Sequence, residues 1–354
     1  MFSSEHLSHL RRIVVVRSLG GLGDFLCIVP TLRSLRTALP QATITLVGLP
    51  KTRSLVQRFH QYVDELLPSP GYPGLPEQDL QLQQLPAFFE TAQNQCFDLA
   101  LQLHGSGTIT NPLIVLFGAK HNAGFFLPGQ YCPEPDGFLP FLEDESEIRR
   151  YLRLMEFLGI PAQGETLEFP LCEQDYQAMA TITATHSLRG HYICIHPGAS
   201  IADRRWSPKQ FAIVADALTR QGYQIVLTGS SEEVPLTQAV ARLMQAPSLN
   251  LAGCTSLGAL AVLLKGARLL VCNDTGVSHL AAALQVPSVV LFTTSNLDRW
   301  APLNRTLHRV VCTARGGTLE DAIAQAEALL QQAPASNGSS SIASQPIRWE
   351  GVSA

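Results

Sequence analysis

The chain has 354 residues, of which 46% are hydrophobic and 15% are charged. This balance excludes an intrinsically disordered chain, which combines low hydrophobicity with high charge. The formal net charge of −4 gives the protein as a whole no attraction for nucleic acid, so no nucleic-acid partner is expected. At roughly 100–200 residues per domain, the length favours two domains.

The cysteine pattern and the hydropathy bear on the compartment. The chain contains eight cysteines but no C-x-x-C pair and no Cys/His cluster with zinc-ligand spacing, which is typical of reduced thiols in a cytoplasm. The first ten residues lack the apolar segment of a signal peptide, and no apolar run approaches the ~18–20 residues of a membrane span. We therefore expect a cytoplasmic protein, and a peripheral contact with the inner face of the plasma membrane is left open.

Strand-like and helix-like patterns alternate through the first half of the chain. The predicted strands are residues 13–16, 43–47 and 98–103, and the predicted helices are residues 24–39, 111–118 and 143–158. Apolar, β-branched runs that alternate with helices predict parallel strands joined by crossovers. Residues 125–142 carry four prolines and are expected to be irregular.

A second series of the same kind begins near residue 191. Its predicted strands are residues 192–195, 223–227, 269–271, 288–292 and 307–311, and its predicted helices are 208–220, 232–245, 256–264, 277–284 and 319–332. The chain is thus predicted to be an α/β protein of two doubly wound halves, residues 1–170 and 171–333, followed by a flexible Ser-rich tail, residues 334–354. Two such halves place a ligand site in the cleft between the carboxyl ends of their strands.

The loop after the first strand is rich in glycine: Gly20, Gly21 and Gly23 precede Asp24. The dinucleotide fingerprint fails here, because Leu26 stands where its last glycine belongs and no acidic residue follows the second strand. The glycines let another molecule approach the backbone. Asp24 has two open interpretations, an ordinary helix N-cap or a general base for a hydroxyl group.

Two loops of the second half carry candidate ligand groups. Ser200 and Arg204 follow the strand at 192–195, where a hydroxyl and a cation suit a phosphorylated ligand; a solvated arginine is the alternative. Glu232 and Glu233 follow the next strand, where a carboxylate suits either a ribose diol or the dipole of the helix that begins there.

The segment C-N-D-T-G-V-S-H is the most specific of these loops. A strand ends at residue 271, a tight polar turn follows, and a helix begins near Gly276. Backbone N–H groups at such a helix start can hold a phosphate, with Asp274 and Thr275 orienting the turn. His279 lies about one helical turn further on and is expected to point at the same pocket.

Taken in order, the segments GGLGDFLCIVPTLRSLR, HPGAS…RRWSPKQF, LTGSSEE and CNDTGVSHLAAAL resemble glycosyltransferase family 9, the ADP-heptose:lipopolysaccharide heptosyltransferase family, over roughly residues 12–333. The resemblance implies a GT-B fold, in which two Rossmann-like domains face each other across a cleft. It implies an acceptor site in residues 1–170 and a nucleotide-sugar site in residues 171–333.

The family resemblance also implies an inverting, metal-independent transfer of a sugar, typically heptose from an ADP-sugar, to a glycan or lipid-linked saccharide. The catalytic aspartate falls on Asp24. The leaving diphosphate would meet Arg204, His279 and the N–H groups at Thr275 and Gly276, so that neither a cofactor nor a metal is expected.

Two other functions are weighed against this one. A catalytically silent GT-B module would retain the nucleotide pocket without transfer, against which the presence of Asp24 argues. Another GT-B enzyme, such as a nucleotide-sugar epimerase, would usually need more carboxylates and histidines in the cleft than these loops supply.

Overall fold

The computed structural model describes residues 7, 9–188 and 190–332, and the predicted tail lies outside these residues. The chain divides into two compact units. The first comprises the described part of Met1–Pro170 together with Thr275–Leu284 and Ser295–Leu303. The second comprises the described parts of Leu171–Asp274, Gln285–Thr294 and Asn304–Ala354. The assignment of acceptor and donor binding to residues 1–170 and 171–333 stays a prediction.

The first sheet consists of six strands: β1 (Arg12–Val16), β2 (Thr43–Gly48), β3 (Glu65–Pro68), β4 (Leu99–Gln102), β5 (His121–Phe126) and β6 (Phe138–Pro140). All are parallel, in the order β3-β2-β1-β4-β5-β6. In register, Val15 lies between Leu46 and Leu101, and all three are fully buried. This explains the continuous apolar runs, because a parallel sheet is covered by helices on both faces.

The second sheet repeats this topology with β7 (Tyr192–His196), β8 (Gln224–Leu227), β9 (Ser248–Asn250), β10 (Leu270–Asn273), β11 (Ser288–Phe292) and β12 (His308–Cys312). Its parallel order is β12-β11-β10-β7-β8-β9. Numbered within each sheet, both orders read 3-2-1-4-5-6, the order of Rossmann sheets. The predicted α/β class with two Rossmann-like halves is therefore confirmed.

Within residues 9–188 and 190–332, thirteen α-helices accompany these sheets. Those of the first unit are α1 (Leu22–Leu26), α2 (Val29–Ala38), α3 (Arg53–Arg58), α4 (Leu85–Asn94), α5 (Thr110–Val115), α6 (Glu147–Phe157), α11 (Gly276–Ala283) and α12 (Leu297–Trp300). Those of the second unit are α7 (Glu173–Thr185), α8 (Pro208–Thr219), α9 (Val234–Leu243), α10 (Leu257–Gly266) and α13 (Leu319–Gln332).

Two of the predicted helices differ from the structure for one reason. Residues 24–39 were expected to form a single helix but form α1 and α2, with Pro30 at the start of α2. Proline has no N–H to donate to the preceding turn, so the helix ends and begins again. In the same way Pro235 lies in the first turn of α9, which starts at Val234 rather than at residue 232.

The expectation that residues 125–142 are irregular is wrong in part. Residues 138–140 form the edge strand β6, in which Phe138 pairs with Gly124 and is buried. A three-residue strand is too short to show a period, and an edge position tolerates Pro140. Strands β3, β5 and β9 were also not predicted from the sequence, nor were helices α3, α4, α7 and α12.

Candidate active site

Most candidate residues follow strands that flank the switch point of each sheet, where the strand order reverses between β1 and β4 and between β7 and β10. Glu232 and Glu233 follow the neighbouring strand β8. The loop after β1 carries Asp24, and the loop after β10 carries Asp274. Ligands of doubly wound sheets bind beyond the carboxyl ends of the strands at this point. The topology therefore places both candidate aspartates where the fold favours binding.

A side chain lies close to the position that a Cβ atom would occupy at each glycine that follows β1. A Cβ atom on Gly20 would lie 2.4 Å from Lys51 Nζ, and one on Gly21 would lie 2.4 Å from Asp24 Oδ2. A Cβ atom on Gly23 would lie 2.6 Å from His279 Cδ2. The absence of a Cβ atom thus lets these three side chains approach the backbone closely, and the constraint is strongest at Gly23, which meets the His279 ring.

Asp24 lies at the third position of α1, and Gly21 is the N-cap residue. The N-cap alternative for Asp24 is therefore wrong, since Gly21 occupies that position and Asp24 lies inside the first turn. Instead, Asp24 Oδ1 lies 3.3 Å from Arg17 Nη2, and 23% of the aspartate side chain is exposed. The carboxylate is held at one oxygen and is open to a ligand.

Arg17, which holds Asp24, is itself buried at the end of β1. Its Nη1 donates to the carbonyl of Leu103 at 2.6 Å and lies 3.0 Å from Glu147 Oε1. It also hydrogen-bonds to the hydroxyl of Tyr151, whose ring lies 5.0 Å from the guanidinium carbon. Burial opposes the charged form, but these partners and Asp24 raise the pKa of Arg17 above its ordinary value. Arg17 therefore remains a fixed cation.

Glu147, the first residue of α6, is the centre of this charged network. Arg299 Nε donates to Glu147 Oε2 at 2.8 Å, and Arg150 donates to the same oxygen. Burial alone would raise the pKa of this carboxyl group, but the charges of Arg17, Arg299 and Arg150 hold it at about 2. A single buried carboxylate thus balances three guanidinium groups, one of which positions Asp24.

The N-terminus of α11 packs against the glycine loop within the first unit. A Cβ atom on Gly276 would lie 2.9 Å from Leu22 Cβ and 3.1 Å from the backbone nitrogen of Gly23. Thr275 is the N-cap residue in extended conformation and makes no side-chain cap hydrogen bond. The first N–H groups of α11 thus begin next to Leu22 and Gly23, the two residues before Asp24.

His279 is buried, with 4% of its surface exposed, on the face of α11 that meets α1. Its Nδ1 lies 3.7 Å from Cys27 Sγ, and its ring meets Trp300 edge-on at a centroid distance of 6.2 Å. These contacts place His279 beside Gly23, one residue before Asp24. Its predicted role toward a phosphate stays a prediction.

In the second unit, Asn273 ties two loops together. Its Oδ1 accepts a hydrogen bond from the backbone N–H of Trp206 at 2.9 Å, and its Nδ2 donates to the carbonyl of Pro197 at 2.7 Å. Asn273 is fully buried. The loop after β7 is therefore fixed to the end of β10 by a neutral amide, a role that sequence reasoning missed.

The candidates Ser200, Arg204 and Asp274 lie around this amide. Arg204 Nη1 is 3.9 Å from Asp274 Oδ2, and this oxygen is buried without a hydrogen-bond partner among the described residues. Ser200 is exposed, and Arg204 keeps 29% of its side-chain surface open. The structure thus brings the arginine and the aspartate together and leaves the cation available to a ligand.

The two candidate glutamates differ in environment. Glu233 accepts a hydrogen bond from the backbone N–H of Ser230 at 2.8 Å and lies 3.8 Å from His196 Nε2. Burial lowers the pKa of His196, although the Glu233 charge opposes this. Glu232 is exposed. Glu233 thus stabilises its own turn, whereas Glu232 is the more accessible carboxylate for a ligand.

The structure brings the sequence-predicted residues together in two groups. One group, in the first unit, contains Gly20, Gly21, Gly23, Asp24, Thr275, Gly276 and His279. The other, in the second unit, contains Ser200, Arg204, Glu232, Glu233 and Asp274. Sequence reasoning missed the buried charges around Asp24, of which Arg17 had a visible signal, since a cation directly follows the apolar run of β1.

Two searches of the described residues gave negative results. No group of three or more His, Cys, Asp or Glu side chains is arranged to hold a metal ion. No helix in these parts of the chain has both the length and the apolar character needed to cross a membrane.

Comparison with known proteins identifies the family. The model of glycosyltransferase family 9 (heptosyltransferase) matches residues 141–321, and the chain belongs to this family. It is 28% identical over 298 residues to lipopolysaccharide heptosyltransferase 2 of Escherichia coli K12, a match that covers 80% of this chain and 83% of that protein. The protein is therefore a glycosyltransferase.

Solved structures show the same fold. A family 9 glycosyltransferase from Veillonella parvula gives a TM-score of 0.75 at 24% identity, covering 92% of this chain and 99% of that one. The E. coli ADP-heptose lipopolysaccharide heptosyltransferase II gives a TM-score of 0.71 at 24% identity, covering 91% and 99%. The predicted GT-B fold class is confirmed.

Proposed function

We propose that this glycosyltransferase moves heptose from ADP-heptose onto a lipopolysaccharide-type saccharide, with inversion at the anomeric carbon. The similarity to the E. coli lipopolysaccharide heptosyltransferase over most of both chains supports the donor and the acceptor class. Because such an acceptor is lipid-linked, we place the reaction at the inner face of the plasma membrane, with the protein bound peripherally.

Asp24 is the proposed general base. The acceptor hydroxyl oxygen attacks the anomeric carbon, the bond from that carbon to the diphosphate oxygen breaks, and Asp24 takes the hydroxyl proton. Attack from the side opposite the leaving group inverts the anomeric configuration. The ion pair with Arg17 at 3.3 Å supports this role, because it fixes one carboxylate oxygen while part of the side chain remains exposed.

The leaving ADP gains negative charge as the bond breaks. We assign its stabilisation to the N–H groups at Thr275 and Gly276, to His279 and to Arg204, since fixed donors and cations aimed at developing charge lower the barrier. These groups would make a bound metal unnecessary, so we expect transfer to continue in the presence of EDTA.

One observation carries the proposal. The N-terminus of α11, an eight-residue helix, begins against Gly23, and Asp24 is the next residue. A carboxylate and a helix N-terminus, the type of group that can bind an anion, therefore lie side by side within one unit. Transfer of a sugar from a nucleoside diphosphate uses one group that takes the proton of the acceptor hydroxyl and another that stabilises the leaving diphosphate, both close to the anomeric carbon.

The test is a donor screen. The purified protein is incubated with lipopolysaccharide truncated before its heptose residues and with ADP-heptose, UDP-glucose, GDP-mannose or CMP-linked sugar, with and without EDTA. We expect mass spectrometry to show addition of one heptose from ADP-heptose alone, and NMR to show the inverted anomeric configuration. Use of another donor in its place would contradict the heptose assignment, and ADP binding without any transfer would indicate a silent module.

A further inference from the structure

Four buried polar atoms without a hydrogen-bond partner in the described chain gather at the switch point of the first sheet. They are Arg17 Nε, Ser18 Oγ, Glu77 Oε2 and His104 Nδ1. Val16 of β1 pairs with Gln102 of β4 at the end of these strands. Ser18 lies two residues after Val16, and His104 lies two residues after Gln102. Buried polar atoms are nearly always hydrogen-bonded, so a cluster of unpaired ones is a place where water or a polar group of a ligand supplies the missing partners.

His104 has one ring nitrogen fixed and the other free within this cluster. Its Nε2 lies 3.3 Å from Glu77 Oε1, and only 6% of the surface of the histidine is exposed. Burial would raise the pKa of Glu77, but the hydrogen bond to His104 and the nearby Arg17 charge lower it. An ionised carboxylate only accepts, so the proton of this hydrogen bond is on Nε2, and Nδ1 is the ring nitrogen left without a partner in the described chain.

The loop that carries Glu77 packs against the loop that carries His104. Gly74 has a φ of +88°, and a Cβ atom there would lie 2.9 Å from Ile109 Cδ1. Residues 69–81, which include Glu77, thus pack against the loop of His104. Nδ1 is covered in this conformation, so ligand binding there requires residues 69–81 to move away from the loop of His104.

The pair lies close to the proposed base. One guanidinium group, that of Arg17, donates to the carbonyl of Leu103 at 2.6 Å and to Asp24 Oδ1 at 3.3 Å. Leu103 directly precedes His104. Asp24 and the residue that precedes His104 thus contact the same guanidinium group, which places the His104 loop next to the proposed base.

We propose that His104 Nδ1 forms a hydrogen bond with a second hydroxyl group of the acceptor saccharide, a group that can both donate and accept, and that Glu77 positions the imidazole ring for it. This inference rests on the proposed function and adds a residue that determines acceptor specificity. A site built to bond a hydroxyl discriminates against sugars that lack it, because its own polar atom is then left unpaired.

The test separates acceptor binding from donor binding. Deacylated oligosaccharide from heptose-deficient lipopolysaccharide is titrated calorimetrically into the wild type, His104→Ala, Glu77→Gln and the control His60→Ala, an exposed histidine of the same unit. We expect His104→Ala to bind the oligosaccharide about tenfold more weakly, because one hydrogen bond is lost. Glu77→Gln should show an intermediate loss of affinity, and His60→Ala should bind as the wild type does. In transfer assays, the acceptor KM rises for both variants while kcat and the donor KM stay unchanged.

Equal affinity of the wild type and His104→Ala, or no affinity of the wild type for the oligosaccharide, would overturn the inference. An ADP titration of the same samples tests the proposed function separately. If the wild type neither binds ADP nor transfers sugar, the proposed function is refuted; if it does both and only the His104 comparison fails, the inference about His104 is refuted. If His104→Ala fails to fold, the double variant His104→Leu, Glu77→Leu removes both polar groups together. We expect it to be as stable as the wild type and still to lose acceptor affinity; retained affinity would contradict the role of His104.

Discussion

The two groups of candidate residues are held in place by different forces. In the first unit, Asp24 is positioned by a buried network of charges in which Glu147 pairs with three arginines. In the second unit, the loop near Arg204 is fixed by the neutral amide of Asn273. A buried charge becomes very unfavourable when its partner is removed, whereas a lost amide hydrogen bond costs less. The position of the base should therefore be more sensitive to mutation than the donor-side loop.

The largest effect on stability is expected for Glu147→Gln. The change leaves Arg17 and Arg150, both buried, without their shared counter-charge, and we expect a loss of about 3–5 kcal/mol in the free energy of unfolding. Urea denaturation measures this loss. The control is Glu165→Gln, whose partner Arg149 is exposed, and it should cost about 0–1 kcal/mol. Equal effects of the two variants would show that the network is not the stabilising feature.

The same carboxylate should make the stability depend on acidity. The pKa of Glu147 is held at about 2 in the folded protein, below its ordinary value of 4.5, so its stabilisation is complete above pH 4.5 and is lost as the pH falls toward 2. The difference corresponds to about 3 kcal/mol. Urea unfolding at a series of pH values from 5 to 2 measures the slope. Glu147→Gln should show a shallower slope, and an identical slope in both proteins would contradict the assignment.

A smaller effect is expected for Asn273→Ala in the second unit. The substitution leaves the N–H of Trp206 and the carbonyl of Pro197 without their partner, which costs about 1–3 kcal/mol. Urea denaturation against the wild type checks this value. A loss as large as that of Glu147→Gln would remove the proposed contrast between the two regions.

The smallest effect is expected for Arg204→Ala, which should leave folding intact because 29% of that side chain is exposed. We expect about tenfold weaker binding of ADP through loss of one charge-assisted hydrogen bond. Calorimetric titration of ADP measures the change, and the exposed Arg242→Ala is the matched control. Unchanged ADP affinity in Arg204→Ala would refute its role toward the diphosphate.

The sequence was sufficient to predict the parts of the fold that depend on local patterns. The apolar strands at both switch points were recognisable because parallel strands are buried on both faces. The caps of Ser207 and Ser256 follow the same kind of local rule, since serine is favoured at helix N-caps, and each side chain accepts a hydrogen bond from the backbone N–H three residues on. Short edge strands such as β6 were missed, because pairing with a neighbour rather than periodicity defines them.

The candidate site was predictable only in its backbone elements. The glycine loop with Asp24 and the turn at Asp274 carry compact motifs, which resemble those of the family. The partners of Arg17 could not be found in this way, because Glu147 lies 130 residues away and Arg299 lies 152 residues beyond Glu147. Long-range pairing of isolated charges leaves no periodic signal in a sequence.

The central claim is that Asp24 is the general base, and a comparison of Asp24→Asn with Asp136→Asn tests it most directly. Asp136 is an exposed aspartate of the same unit and serves as the control. With ADP-heptose and heptose-deficient lipopolysaccharide, Asp24→Asn should lower kcat about 10²–10⁴-fold while ADP binding stays near the wild-type value. Asp136→Asn should leave both unchanged. A kcat of Asp24→Asn equal to that of the wild type would contradict the assignment of the base.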